Sequence, residues 1–262
     1  MNVRLRRGCL TAAAALVVAV PVSAGGLATA SLAAAPAAAQ EATPPAATGA
    51  QDDFALSRPA DDLWRWAIVE RATTARAEPA DGAPVVARIG TRTPEKTPEA
   101  LPLLARREVE GRLWVKVRLP VLPNNTTGWV RRETLGGYEV VRTHLIVDRR
   151  KLTARLERRG RTVFSARVGI GKRKWPTPKG EFMVRNRLAG FEDPVYGALA
   201  FGTTARSATL TDWPGGGFIG VHGTAQPELL PGRVSHGCVR MRNADILRLD
   251  RKMPIGTPVT VR

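Results

Sequence analysis

THLIVDRRKLTARLERRGRTVFSARVGI, residues 143–170, alternates apolar and polar side chains through three successive runs, with basic turns between them. A period of two puts every second side chain on one face of a strand. THLIVD, KLTARLE and TVFSARVGI are therefore expected to be three consecutive strands, with DRRK and ERRGR as solvated hairpin tips. His144 lies among the apolar positions of the first run and is read as a strand residue without a catalytic role. Working outward, EFMVRNRL (181–188) supplies another strand and GTPVTVR (256–262) a last one that closes the sheet. Asn243 is placed to cap a short helix through ADILRLDRKM, with Ile246, Leu247 and Leu249 on its inner face.

Upstream, WAIVER (66–71), PVVARIG (84–90), RLWVKVRL (112–119) and GWVRRETL (128–135) are short β-prone runs broken by PADG and LPNNTTG. They predict a small all-β barrel over residues 63–141, in which Trp114 and Trp129 are either core or groove residues. Residues 40–62, rich in Ala, Pro, Thr and Asp without periodicity, read as a flexible tether. Residues 1–39 have the layout of a secretory signal: Arg4, Arg6 and Arg7, an apolar run from Leu10 to Val20, then small-residue cleavage sites after Ala24, Ala30 or Ala39. The apolar run is short of the roughly 20 residues that span a bilayer, and no later segment reaches that length, so no membrane span is expected after cleavage.

Export decides what the cysteines mean. Loss of the signal removes Cys9 and leaves Cys238 in GRVSHGCVRMRN (232–243) without an intramolecular partner. A lone thiol in an oxidising compartment is buried and inert, paired between molecules, or a nucleophile. The neighbours favour the nucleophile: of three histidines, His222 and His236 lie within sixteen residues of Cys238, and a nearby imidazole activates a thiol. In GFIGVHGTA (217–225) an apolar strand delivers His222 at its end. Gly237 clears space before the sulfur, and successive backbone N–H groups around His236 and Gly237 are candidates for an oxyanion hole. The same residues lack the usual spacing of a zinc site, so no metal and no cofactor are expected.

Charge is segregated. Residues 41–141 carry 14 basic and 14 acidic side chains, whereas residues 142–262 carry 23 and 9. A basic exported domain is drawn to anionic wall polymers. Nucleic acid would match the charge but leaves the signal and the Cys–His set unexplained.

VHGT (221–224) followed by SHGCVRM (235–241) resembles the active-site signature of the L,D-transpeptidase family, the YkuD-type catalytic domain of bacterial cell-wall enzymes, and WPTPKGEF (175–182) resembles a turn common in these domains. The likeness covers residues 142–262. It implies a mainly β fold, an L,D-transpeptidase-type β-sandwich with a short C-terminal helix, and an enzyme of the periplasm or cell wall. Cys238 would attack the L,D bond of a peptidoglycan stem tetrapeptide and release D-alanine. His222 would be the acid and base, oriented by the Gly223 carbonyl, and an amine of a neighbouring stem would complete a 3→3 cross-link. His236 and Gly237 would serve the oxyanion or shape the loop. Ser235, Arg240, Trp175 and Trp213 would contact substrate or brace the site. Water as acceptor would make an L,D-carboxypeptidase, and a silent site would leave a wall-binding protein. LWVKV and GWVRR resemble a bacterial SH3-like domain. The oligomeric state is not legible.

Overall fold

The computed structural model describes residues 53–190, 193–211 and 216–262. The expected signal, most of the tether, and Trp213 lie outside them. The described residues all fall in one compact unit.

Its N-terminal sheet holds β1 (Phe54–Ala55), β2 (Trp64–Ile68), β3 (Thr73–Arg76), β4 (Val85–Ile89), β5 (Ala100–Val109), β6 (Arg112–Arg118), β7 (Thr127–Arg131) and β8 (Glu139–Val141). The order is β4-β3-β7-β6-β5-β2-β8, with β1 pairing β5. All of these pairings are antiparallel. Alternate residues such as Leu101, Leu103, Val115, Val117 and Val130 are completely buried and build one core, as period-two alternation requires. Glu110 and Gly111 both take positive φ, at 52° and 69°, and join β5 to β6 in a tight hairpin. The described end of the expected tether is ordered: Phe54 and Ala55 pair with Arg106 and Ala105, and Leu56 is buried. An apolar residue with a sheet edge beside it is the physical reason. Trp114 and Trp129 are each 2% exposed but lie on the face opposite that core, with Arg131 over the Trp114 ring and Arg107 and Lys116 over that of Trp129.

One residue after β8 the second sheet begins, with β9 (Thr143–Asp148), β10 (Thr153–Arg158), β11 (Arg161–Arg167), β12 (Gly169–Gly171), β13 (Gly180–Leu188), β14 (Ala200–Arg206), β15 (Phe218–His222), β16 (Gly232–Ser235), β17 (Val239–Arg240) and β18 (Pro258–Val261). Its order is β11-β10-β9-β18-β13-β14-β15-β17-β12-β16. The expected hairpins β9-β10 and β10-β11 form, the second turning at Arg159 and Gly160 with φ of 52° and 69°. TVFSARVGI, however, is two strands. β11 is an edge of the sheet, and after Val168 the chain crosses to pair β12 with β16 and β17. β13 also serves both halves: residues 180–183 pair with β18 and residues 184–188 with β14. The sheet turns over at β13, so that Leu145, Leu156 and Phe164 share a core with Phe201, Val221 and Val239. The result is a β-sandwich.

The helix α1 (Asn243–Asp250) buries Ile246 and Leu249 completely, but Leu247 is 41% exposed. Neighbouring helical residues point about 100° apart, so Leu247 turns outward when Ile246 and Leu249 face the core. Asn243 is the first helical residue rather than the cap, which is Arg242. Its side chain is used elsewhere, as described below.

The two sheets meet directly. The Trp66 ring lies over Gly256, where a Cβ would come within 2.1 Å of it, and Asn125 Oδ1 accepts a hydrogen bond from the Glu181 N–H at 2.9 Å.

Candidate active site

The site is built on two neighbouring parallel strands. In β15 and β17, Val221 stands opposite Val239 and His222 opposite Arg240. Continued back by one step, that register brings Cys238 beside Gly220, and the Gly220 N–H donates to Cys238 Sγ at 3.3 Å. A Cβ on Gly220 would sit 4.0 Å from both Cys238 Sγ and His222 Cδ2. This glycine therefore faces the gap between thiol and imidazole.

Cys238 is half-buried, at the end of the loop between β16 and β17. Ser235 Oγ donates to the Cys238 carbonyl at 2.6 Å and accepts from the Gly237 N–H at 3.1 Å. Gly237 adopts φ of 123°, and a Cβ there would come within 2.7 Å of Ile219 Cδ1. The positive φ favours glycine, and a side chain there would also push the Ile219 methyl aside. Thr177, in the WPTPKGEF turn, links this loop to β12: its hydroxyl donates to the Gly237 carbonyl at 2.7 Å and accepts from the Gly171 N–H at 2.9 Å.

Burial pushes the Cys238 thiol up, against the opposing effects of the Gly220 N–H and the Arg240 charge. His222 is 2% exposed, and burial pushes it down to about 4. Hydrogen bonding to the backbone of Gly223 and Tyr196 resists that fall, and the Arg240 charge reinforces it. Both shifts favour a neutral thiol and a neutral imidazole at rest. His222 Nδ1 lies 2.6 Å from the Gly223 carbonyl oxygen. A carbonyl only accepts, so the proton is on Nδ1 and the Nε2 lone pair is the basic one. Gly223 is itself pinned, because Asn243 Oδ1 accepts from the flanking Thr224 and Ala198 N–H groups at 3.1 and 3.0 Å.

A cavity of about 180 Å³ opens over these groups, lined by Cys238, His222, His236, Ser235 and Arg240 together with Tyr196 and Phe218. Arg240 Nε is buried there without a hydrogen-bond partner. The Tyr196 and His222 ring centroids are 5.3 Å apart.

Of the residues singled out in the sequence, Cys238, His222, Gly223, Ser235, His236, Gly237 and Arg240 converge. The Gly237 N–H, expected to face an oxyanion, is directed to Ser235 Oγ, so this glycine shapes the loop. Trp175 does not line the cavity; its ring packs against His236 at 4.2 Å between centroids, tilted by 52°. His144 is remote, with its Nε2 on Thr260 Oγ1 at 2.7 Å. Sequence reading missed Thr177, Tyr196, Gly220 and the bridging role of Asn243. No local pattern announces them, since each acts across 18 or more residues or through backbone geometry. Among the described residues no group of three or more His, Cys, Asp and Glu side chains is disposed to hold a metal ion.

Residues 142–261 match the YkuD family, described as the L,D-transpeptidase catalytic domain. YkuD of Bacillus licheniformis, a protein named as an L,D-transpeptidase, is 35% identical over 109 residues, which cover 42% of this chain and 59% of that one. YqjB of Bacillus subtilis, named likewise, is 33% identical over 131 residues, covering 45% of this chain and 70% of its own length. The NMR structure of the catalytic domain from E. faecium L,D-transpeptidase aligns at 26% identity over 46% of this chain and 96% of its own, with a TM-score of 0.35. The structure of Bdellovibrio bacteriovorus Bd1075 aligns at 29% identity over 46% of this chain and 47% of its own, with a TM-score of 0.37. By the family match and the likeness to YqjB, the chain belongs to the YkuD family of L,D-transpeptidase catalytic domains.

Proposed function

We propose that this protein is an exported peptidoglycan L,D-transpeptidase with Cys238 as nucleophile. His222 Nε2 takes the thiol proton as sulfur attacks the carbonyl between the third and fourth residues of a stem tetrapeptide. The C–N bond breaks, the proton passes to the departing amine, and D-alanine leaves a thioester on Cys238. An amine of a second stem attacks that thioester, His222 accepts its proton, and return of the proton to sulfur restores the resting pair. Arg240 and Ser235 contact the substrate or brace the loop, His236 helps form the oxyanion side of the cavity, and Trp213 is a further substrate-contact candidate. The N-terminal sheet, β1 included, serves as an SH3-like domain, after a signal at 1–39 and a tether that ends ahead of β1. The place of action is the periplasm or cell wall, and the basic excess of residues 142–262 favours anionic wall polymers nearby.

The observation that carries this reading is the placement of Cys238 Sγ in a cavity with a buried imidazole whose Nδ1 is committed to the Gly223 carbonyl. Incubation of the mature protein with a stem tetrapeptide is expected to release D-alanine and give an acyl adduct on Cys238 by mass spectrometry. With muropeptides, a dimer is expected; a tripeptide alone would make the enzyme a carboxypeptidase. If Cys238→Ala processes the peptide as fast as the wild type, the mechanism is wrong.

A further inference from the structure

We infer that the N-terminal sheet sets the shape of the catalytic cavity through a buried relay from Glu95 and Glu99 to Arg185 to Phe218, which makes these four positioning residues for the acyl donor. The inference rests on the proposed role of Cys238.

Arg185 lies on β13 with a fully buried side chain. Its Nη2 is 2.9 Å from Glu95 Oε2 and its Nη1 3.6 Å from Glu99 Oε2, both carboxylates belonging to the segment between β4 and β5. The next residue is held by the same segment: Asn186 Nδ2 donates to Glu95 Oε2 at 3.1 Å and to Thr97 Oγ1 at 3.0 Å. The Arg185 guanidinium carbon stands 3.6 Å from the Phe218 ring centroid, and that of Arg206 stands 4.8 Å from it. Arg206 is gripped by the N-terminal sheet as well, because its N–H donates to Asn124 Oδ1 and its carbonyl accepts from Asn124 Nδ2. Phe218 lines the catalytic cavity. It also opens β15, the strand that carries Gly220 against the sulfur and His222 at its end.

The arrangement is a costly way to fill space. Arg185 Nε and Nη1 and Glu99 Oε1 are buried without hydrogen-bond partners, and a buried charge cluster of this kind is commonly replaceable by apolar packing. What a guanidinium supplies that an aliphatic chain does not is a flat cationic face against an aromatic ring, locked in orientation by carboxylates. That orientation is transmitted to one wall of the cavity.

The test uses the full chain. Glu95→Gln combined with Glu99→Gln removes the clamp, and Arg185→Lys keeps a charge but loses the flat face. Both are expected to raise KM for the tetrapeptide about fivefold with little change in kcat, a coupling at the lower end of that between contacting residues. A readout independent of substrate is the ratio of Cys238 modification rates by a bulky maleimide and by iodoacetamide, which should shift by a similar factor. In a Phe218→Leu background the clamp substitutions should shift neither quantity further. A lowered melting temperature with an unmoved rate ratio would reduce the cluster to packing and overturn the relay, as would effects that simply add in the Phe218→Leu background. A wild type that releases no D-alanine while its rate ratio still responds to the clamp would sink the proposed function and leave the relay standing.

Discussion

At Cys238 and His222 the same cause, burial, moves two groups in opposite directions, and the resting site holds a neutral pair instead of an ion pair. Alkylation of Cys238 by iodoacetamide is therefore expected to rise in a single step above the ordinary thiol range. It should lack the low-pH shoulder of a thiolate–imidazolium pair, as a rate profile would show. His222 also couples the fold to pH. Its charged form is disfavoured in the native state, so the unfolded chain binds more protons between about pH 6.5 and pH 4, and stability is lost as pH falls across that window. A fall from 6.5 to about 4 corresponds to about 3 kcal/mol. Thermal melts at several pH values should show a flatter acid slope for His222→Gln, and that variant should lose about a hundredfold or more in kcat/KM.

At the scale of the element, the cysteine loop has its shape because groups distant in sequence satisfy its backbone. Thr177 bridges Gly171 and Gly237, so Thr177→Val would orphan a buried N–H and a buried carbonyl at about 1–3 kcal/mol each. Gly237→Ala would combine an unfavourable φ with a 2.7 Å contact on Ile219, a cost of about 1–3 kcal/mol for the backbone alone. Urea melts are expected to rank both variants well below the wild type. Asn243→Ala should cost less stability but slow turnover, because it frees the Ala198 and Thr224 N–H groups on either side of the His222 support.

For the whole molecule the decisive feature is asymmetry of charge across two sheets in one compact unit. Residues 142–262 hold all the basic excess of residues 41–262. Binding to an anionic polymer such as polyglutamate is expected to weaken by at least about tenfold from 0.01 M to 1 M salt, as the Debye length contracts from about 30 Å to about 3 Å. Sedimentation or polarisation measurements would register it. A salt-independent affinity would mean that the charge is dispersed over solvated faces without a shared field.

The meeting of Cys238 and His222 in one cavity and the β character of both halves were legible from the chain because they depend on local information: a period of two, turn residues, and a signature within twenty-one residues. The sequence likewise indicated the glycine ahead of Cys238, though not that its N–H would turn to Ser235. Tertiary structure decided the rest. TVFSARVGI reads as one strand, yet after Val168 it serves the opposite half of the sandwich, since pairing partners β16 and β17 lie more than sixty residues away. Leu247 looks like a core residue until packing fixes which helix face turns inward. Nothing in the sequence singles out Arg185 or Arg206, and only the docking of the N-terminal sheet makes them the backing of Phe218. Period and spacing are properties of neighbours along the chain, whereas burial and ion pairing depend on which distant segments arrive at the same place.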